Sequence, residues 1–290
     1  MDIVYDAVVG AVALKQLRSS EWSPSLQQFI GRLSGGTTPQ LIGVKSGDPR
    51  VNFESLDITG VMAGIAGGLA VSADTITVPY NKMANGGTFA GSGANAQLNA
   101  TDGLFVVEQY SAQQDGDASA SIAGYLISPD GGIETGPTSS VNNSLASQAY
   151  NAAFTLGPVL INGTEISQVS SVSIRPGAMV ETRRFLGGWL PTWASIKQFN
   201  PVIEITTHNL DYLYTFGPSA VAGSSTAAYF RKRADGGTFV AGAGTVHPKF
   251  SFAGGLVTIG NARASESEPG AIVIPIYGKV LSLAVNAALP

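Results

Sequence analysis

The stretch Arg184-Phe185-Leu186-Gly187-Gly188-Trp189-Leu190-Pro191-Thr192-Trp193-Ala194-Ser195-Ile196-Lys197, continuing through Pro201-Val202-Ile203-Glu204-Ile205 to Asn209, has a diverged twin earlier in the chain. Without a gap, Arg32 falls on Arg184, Gly35-Gly36 on Gly187-Gly188, Pro39 on Pro191, Lys45 on Lys197 and Pro49 on Pro201, a shift of 152 positions (184 less 32). Val51 and Phe53 then meet Ile203 and Ile205, and Asp57 meets Asn209. Gly86-Gly87-Thr88-Phe89 recurs as Gly236-Gly237-Thr238-Phe239, Gly103-Leu104 as Gly255-Leu256, and Tyr125 as Tyr277. Near the starts, Tyr5-Asp6-Ala7 matches Tyr150-Asn151-Ala152. Repeats of ~20–50 residues build solenoids and propellers, whereas one of roughly 145 residues has the size of a whole domain. The expected organisation is two tandem homologous domains, residues 1–145 and 146–290.

Period-two alternation and β-branched clusters dominate both copies, so each domain reads as mainly β. Val159 to Ile166 reads as a hairpin, because Asn162-Gly163 supplies the positive φ of a tight type I′ turn. Val169 to Ile174, Val202 to Thr206 and Arg50 to Glu54 alternate as strands. Asp102-Gly103, Asp130-Gly131, Asn85-Gly86 and Asp235-Gly236 read as turns of the same kind. Pro269 to Tyr277 reads as a late strand near a sheet edge, since proline cannot donate to a ladder. One short helix per copy is expected, from about Asp57 to Gly67-Gly68 and from about Asn209 to Gly217-Pro218. Asp57 and Asn209 occupy one repeat position, and each can cap free N–H groups of a first helical turn. A β-sandwich with a helix packed on it is the simplest architecture. The Gly/Ser/Asn/Pro-rich stretch from Gly132 to Ser147 suits a linker.

Charged residues are only 12% of the 290, against ~25% in an average soluble protein. Disorder does not account for this, because the chain is 44% hydrophobic. Large subunit interfaces do, since interface cores are depleted of charge. The net charge of −4 divides unevenly: residues 1–145 carry 6 Lys/Arg against 13 Asp/Glu, or −7, and residues 146–290 carry 10 against 7, or +3. Such a split suits docking of the first domain of one subunit beside the second domain of its neighbour. With no cysteine, neither a disulfide framework nor a thiolate metal site can form. No basic-then-apolar leader opens the sequence and no apolar run of ~18 residues occurs, so a soluble product without a standard export signal is expected.

Motifs of chemistry are weak. Gly91-Ser92-Gly93-Ala94-Asn95-Ala96 has dinucleotide-like spelling, but no amphipathic helix follows it, and a flexible turn is the simpler reading. Asp115-Gly116-Asp117-Ala118-Ser119 has oxygens at calcium-loop spacing, but Leu126 stands where the bidentate Glu belongs, so a solvated turn is expected. His208 and His247 have no neighbouring ligand partners in sequence; His208 matches Leu56 and reads as a packed position. No Gly-x-Ser-x-Gly elbow occurs. The Asn99, Asn142 and Asn162 sequons read as turn residues. Arg231-Lys232-Arg233 reads as a solvated strand end and not as a nucleic-acid face. No catalytic residue, cofactor site or metal site is assigned, and an enzyme is not expected.

Arg183, Arg184, Phe185, Trp189 and Trp193 combine residue types enriched at interface hot spots, and are the candidate inter-subunit contacts. A core cluster under a Gly-Gly bend is the other reading. Beyond Arg32/Arg184 and Lys45/Lys197, the copies share Gly, Pro, apolar strand positions and a helix cap, which preserve shape more than reactivity.

The segment from Pro191 to Lys197, the alternating Pro201-Val202-Ile203-Glu204-Ile205-Thr206-Thr207, the Asn209-Leu210 cap and Lys232-Arg233-Ala234-Asp235-Gly236-Gly237-Thr238-Phe239 together resemble the major tail protein, or tail tube protein, of long-tailed bacteriophages (siphoviruses) in its tandem-domain form. The resemblance implies β-sandwiches whose inner sheets join into a closed barrel, with rings stacked into a tail tube. It implies a homotrimeric ring of pseudo-six-fold symmetry, with a six-chain ring as the alternative. It also implies tape-measure, tail-terminator and distal-tail partners, a virion location after assembly in the host cytoplasm, no membrane, and double-stranded DNA passing without sequence-specific binding. A lining without strong positive charge would let the duplex slide during DNA ejection. The alternatives are a capsid decoration or head-fibre protein, and a carbohydrate-binding or adhesin module pair.

Overall fold

The computed structural model describes residues 3–4, 6–32, 38, 41–81, 95–131, 137–142, 152–185, 187–216, 221–234, 237–265 and 270–290. Within them the chain is mainly β. The first half contributes β1 (Ile3–Val4), β2 (Ala7–Val9), β3 (Val12–Leu14), β4 (Leu17–Ser23), β5 (Leu26–Gly31), β6 (Leu41–Gly47) and β7 (Arg50–Ser55). Helix α1 (Ile58–Gly64) follows, then β8 (Ala70–Ala73), β9 (Ile76–Asn81), β10 (Asn95–Ala100), β11 (Gly103–Gln113), β12 (Ser119–Leu126) and β13 (Thr138–Asn142). The second half contributes β14 (Ala153–Ile161), β15 (Thr164–Glu165), β16 (Val169–Arg175), β17 (Ala178–Arg183), β18 (Trp193–Phe199) and β19 (Val202–Thr207). Helix α2 (Tyr212–Phe216), β20 (Val221–Arg233), β21 (His247–Val257), β22 (Asn261–Arg263) and β23 (Ala271–Ala287) complete it.

A thirteen-stranded sheet runs through both halves in the order β15-β14-β20-β21-β23-β19-β16-β11-β12-β7-β4, with β22 on β23 and β8 on β11. A six-stranded sheet, β13-β10-β9-β2-β3 with β1, belongs to the first half, and β5-β6 and β17-β18 are separate hairpins. The halves meet where β16 pairs with β11, Tyr110 opposite Ile174 and Ser111 opposite Ser173. The core does not divide at the midpoint. Buried residues of both halves form one continuous cluster, in which the Tyr110 and Phe250 rings lie 4.9 Å apart.

The ladders of the two halves coincide under the shift of 152. Ser23 faces Arg50 as Arg175 faces Val202; Tyr125 faces Arg50 as Tyr277 faces Val202; Ser111 faces Ser119 as Arg263 faces Ala271. Each hairpin breaks register at one place, Gln27/Gln28 and Met179/Val180. Irregular backbone coincides too: Gln16 and Gln168 have φ of 52° and 54°. The Ser55 hydroxyl donates to Lys15 O and accepts from Asp57 N, as the Thr207 hydroxyl donates to Ser167 O and accepts from Asn209 N. Where the halves differ, their strands are cut at different places. The single strand β20 answers to β8 plus β9, and β21 with β22 answers to β10 plus β11.

Several sequence expectations hold. Asp57 caps α1 by accepting from Gly60 N, and Asn162-Gly163 turns the β14-β15 hairpin with φ of 52° and 79°. Others are corrected. The strand around Pro275 is central, between β21 and β19, because the proline falls in the gap where β22 has ended and β21 has not begun; its carbonyl accepts from Thr258 N and no donor is required there. Asp102-Gly103 is a corner passing from β10 to β11 in another sheet, not a hairpin turn. Thr138–Asn142, inside the expected linker, pairs with β10 as part of the first half. Helix α2 is shorter than expected: the Asn209 side chain accepts from Asp211 N, two residues on, and helix begins only at Tyr212. Asn85-Gly86, Asp235-Gly236, Gly91 to Ala94 and Gly217-Pro218 lie outside the described residues.

Ser25 holds a left-handed φ of 43° where the second half has Gly177 at 65°. Left-handed backbone costs a non-glycine residue about 1–2 kcal/mol, so Ser25→Gly should stabilise the fold by about 1 kcal/mol in urea unfolding. The reverse change, Gly177→Ser, should cost about 2 kcal/mol, since its Cβ would collide with Asn200 O. Burial holds the Asp102 carboxyl above its ordinary pKa, partly offset by a hydrogen bond from Gly103 N. The folded state therefore favours the protonated form, and ionisation as pH rises through the carboxylate range costs stability. Asp102→Asn should melt higher than the wild type at pH 7, and that difference should close as pH falls to about 4.

Candidate assembly interface

Hairpin β17-β18 stands off the main sheet, and its inner face carries Ala178, Val180, Ala194 and Ile196. These pack on Leu104, Val106 and Ala123, which β11 and β12 present on the outer face of the first half; Leu104 is only 8% exposed. The apolar positions alternate along each strand, so a single face of the hairpin is driven onto the sheet. The loop between the hairpin strands is tied to the first half as well. Arg184 Nη2 reaches Asp48 Oδ1 at 2.6 Å and donates to Gly47 O, while Gly47 N donates to Trp189 O. Ser128 N donates to Pro191 O, and Leu190 is buried.

Of the five candidate contact residues, Arg184 and Trp189 therefore hold the second half against the first within one chain. Arg183 lies over the Trp193 ring at 5.4 Å and pairs with Glu181 at 3.1 Å. Phe185 and Trp193 remain exposed. Hydrogen bonds from Arg183 and Lys197 hold the Glu181 carboxyl below the usual carboxylate range, so this outer rim of the hairpin stays ion-paired at neutral pH.

The same surfaces displaced by 152 positions are bare. Leu256 and Tyr277 are cross-strand partners as Leu104 and Tyr125 are, yet they are 44% and 52% exposed. Hairpin β5-β6 exposes Leu26, Phe29, Ile30, Leu41, Ile42 and Val44. Its counterpart keeps an ion pair at the place of Phe29, since Glu181 stands there. A hairpin apolar on both faces and a separate uncovered apolar sheet face in one chain are together a strong mark of association. The edges are open in the same sense. Among the described residues β4 pairs only with β7, and β22 only with β23. The sequence signal for hairpin β5-β6 was present in Phe29-Ile30 and Leu41-Ile42, which break the polar alternation of a half-exposed strand.

Among the described residues no three His, Asp or Glu side chains cluster to hold a metal ion. His247 is fully buried and structural: Nδ1 accepts from Lys232 N, which leaves Nε2 to donate to Ala241 O. His208, expected to be packed, is exposed, with Nδ1 beside Gly270 O. Arg231 and Arg233, expected to be a solvated end, lie over the Phe239 ring at 4.5 and 5.8 Å. Asp117 of the expected turn lies 4.0 Å from Arg233.

The two hairpins should respond differently to one kind of mutation. Ile196→Asp removes apolar contact on Leu104 and Val106 and should cost about 2 kcal/mol in urea unfolding at high dilution. Val44→Asp, at the matched exposed position, should leave that unfolding unchanged to within about 0.5 kcal/mol. Neither a protein-family model nor a curated protein matches this chain.

Proposed function

We propose that the chain is a structural subunit of a phage tail tube, built from two fused copies of one β-sandwich domain. Three chains would form a six-domain ring, and rings would stack into a conduit for DNA. The observation that carries this reading is the coincidence of ladders, bulges and left-handed residues at a fixed interval of 152. Independent strands of similar composition would not share cross-strand partners one by one. Common descent of the halves accounts for it, together with selection on shape.

The join between the halves supports assembly. The second half attaches β16 to β11 of the first, so the contact is head to tail and leaves its own counterpart open at each end of the chain. Head-to-tail contacts generate rings when the rotation closes and filaments when it does not. Within the thirteen-stranded sheet, the runs β4-β7-β12-β11 and β16-β19-β23-β22 are the four strands of each half that match one another. Three chains would make a barrel far wider than those of ~16–18 strands, which already enclose an aqueous channel.

The part of the outer face that the hairpins do not cover suits a conduit. Opposite the buried Val51, Phe53, Ile203 and Ile205, it carries Ser19, Asn52, Ser171, Ser173 and Thr206. Two ion pairs lie on it, Arg18 3.6 Å from Glu54 and Arg175 2.9 Å from Glu204, and Arg50 lies over the Tyr125 ring. A lining of small hydroxyls and paired ions offers phosphates no row of free cations to hold them.

Negative-stain microscopy of the concentrated protein is expected to show rings or hollow rods with three chains per ring. A uniform population of compact monomers at every concentration would overturn the proposal. The assembled protein should also fail to shift duplex DNA on a native gel at about 50 mM salt, where a phosphate-binding lining would retain it.

A further inference from the structure

The geometry points to one specific contact between two copies of this chain, resting on the ring reading above. Hairpin β5-β6 of one copy seats on the Leu256–Tyr277 face of the next, and β4 of the first continues the sheet along β22 of the second. The argument is continuity with a contact already made. Inside each chain, β16 pairs along β11 while the hairpin that follows it, β17-β18, covers Leu104, Val106 and Ala123. Moved by 152 positions, the same contact brings β4 to β22 and the hairpin that follows it, β5-β6, to Leu256, Thr258, Pro275 and Tyr277. Both members of the moved contact are open: Leu26, Ile42 and Val44 on one side, Leu256 and Tyr277 on the other.

The register is fixed by the same operation. Tyr110 opposite Ile174 becomes Ala262 opposite Trp22, and Ser111 opposite Ser173 becomes Arg263 opposite Glu21. The neutral serine pair inside the chain thus becomes an opposite-charge pair between chains. Cross-strand pairs of opposite charge stabilise a ladder, while like charges oppose it, so this register is favoured over one that displaces the two. Glu21 and Arg263 are both exposed in the single chain, as an unmade contact requires. The pair also joins the acidic half of one copy to the basic half of the next.

The absence of cysteine allows a direct test. Residues opposite one another on an antiparallel ladder have Cα atoms about 4.5–5.5 Å apart, within disulfide reach. The double variant Glu21→Cys/Arg263→Cys, oxidised after assembly and run on a denaturing gel, is expected to give covalent dimers and a closed trimer. Ser111→Cys/Ser173→Cys should close within the chain and run as a monomer, which calibrates the reaction. Val44→Asp added to the first double variant should abolish the interchain bond by unseating the hairpin. Covalent ladders without a closed species would support the contact while overturning the ring. Rings visible by microscopy with no interchain bond would overturn the contact while leaving the ring intact.

Discussion

Backbone hydrogen bonding at one strand edge governs this molecule. Between Tyr110–Gln113 and Ser171–Ile174, the edge strand β16 of the second half completes its ladder on β11 of the first. Unpaired N–H and C=O groups along an edge invite another strand, and most proteins blunt such edges with charge, proline or a covering loop. Here the edge is answered by the other half of the same chain. Everything outside that ladder follows from it: the shared core, the hairpin β17-β18 folded over Leu104 and Val106, and the Arg184–Asp48 pair that ties the hairpin loop down. The ladder sets direction, and the apolar hairpin adds contact area that a four-residue pairing alone would lack.

The halves diverge in how their strands bend. In the second, β20, β21 and β23 run long and continuous, and left-handed Gly254 lets β21 curve within its ladder. In the first, the equivalent strands are interrupted at Asp74-Thr75 and Thr101-Asp102, and between β12 and β13. Asp and Thr at such places favour local hydrogen bonds over strand propagation. Thr75 O takes Gly10 N at 2.6 Å, which draws the corner onto the β2-β3 turn. The consequence is a separate six-stranded sheet in one half and a single curved layer in the other, from the same strand order. Topology is held while curvature varies.

Much of the strand plan was legible because it rests on local chemistry. Asn162-Gly163 can hardly be other than a tight turn, and Asp57 three residues before Gly60 is a cap whose geometry requires no tertiary contact. What sequence hid was tertiary in origin. Pro275 looked like an edge residue, and only the gap between β22 and β21 makes a central proline harmless. The 138–142 strand looked like linker because Thr-Ser-Ser carries no apolar alternation, and it pairs with β10 through its backbone ladder and a hydrogen bond from Asn99 Nδ2 to the Ser140 hydroxyl. Aromatic and guanidinium groups mark the candidate contact residues, but those traits do not say which half a side chain meets. Arg184 turned inward to Asp48 and Phe185 did not.

The distinction between a ring and an open filament comes down to strain accumulated over repeats of one contact. In the proposed ring the contact would be made twice per chain, once within it and once between chains, and the two need not be identical. The covalent link fixes the first at high effective concentration, so it tolerates a neutral Ser111–Ser173 pair. The second must be found by diffusion, where complementary charge raises encounter rates and rejects wrong registers. An acidic first half and a basic second half supply that bias at long range, and Glu21 opposite Arg263 would supply it at contact. On the proposed assembly, fusion of two copies would free one interface to lose its charges and leave the other to keep them. On that argument, the placement of so few ionisable groups in so apolar a chain reflects selection for how subunits meet, more than for how each one folds.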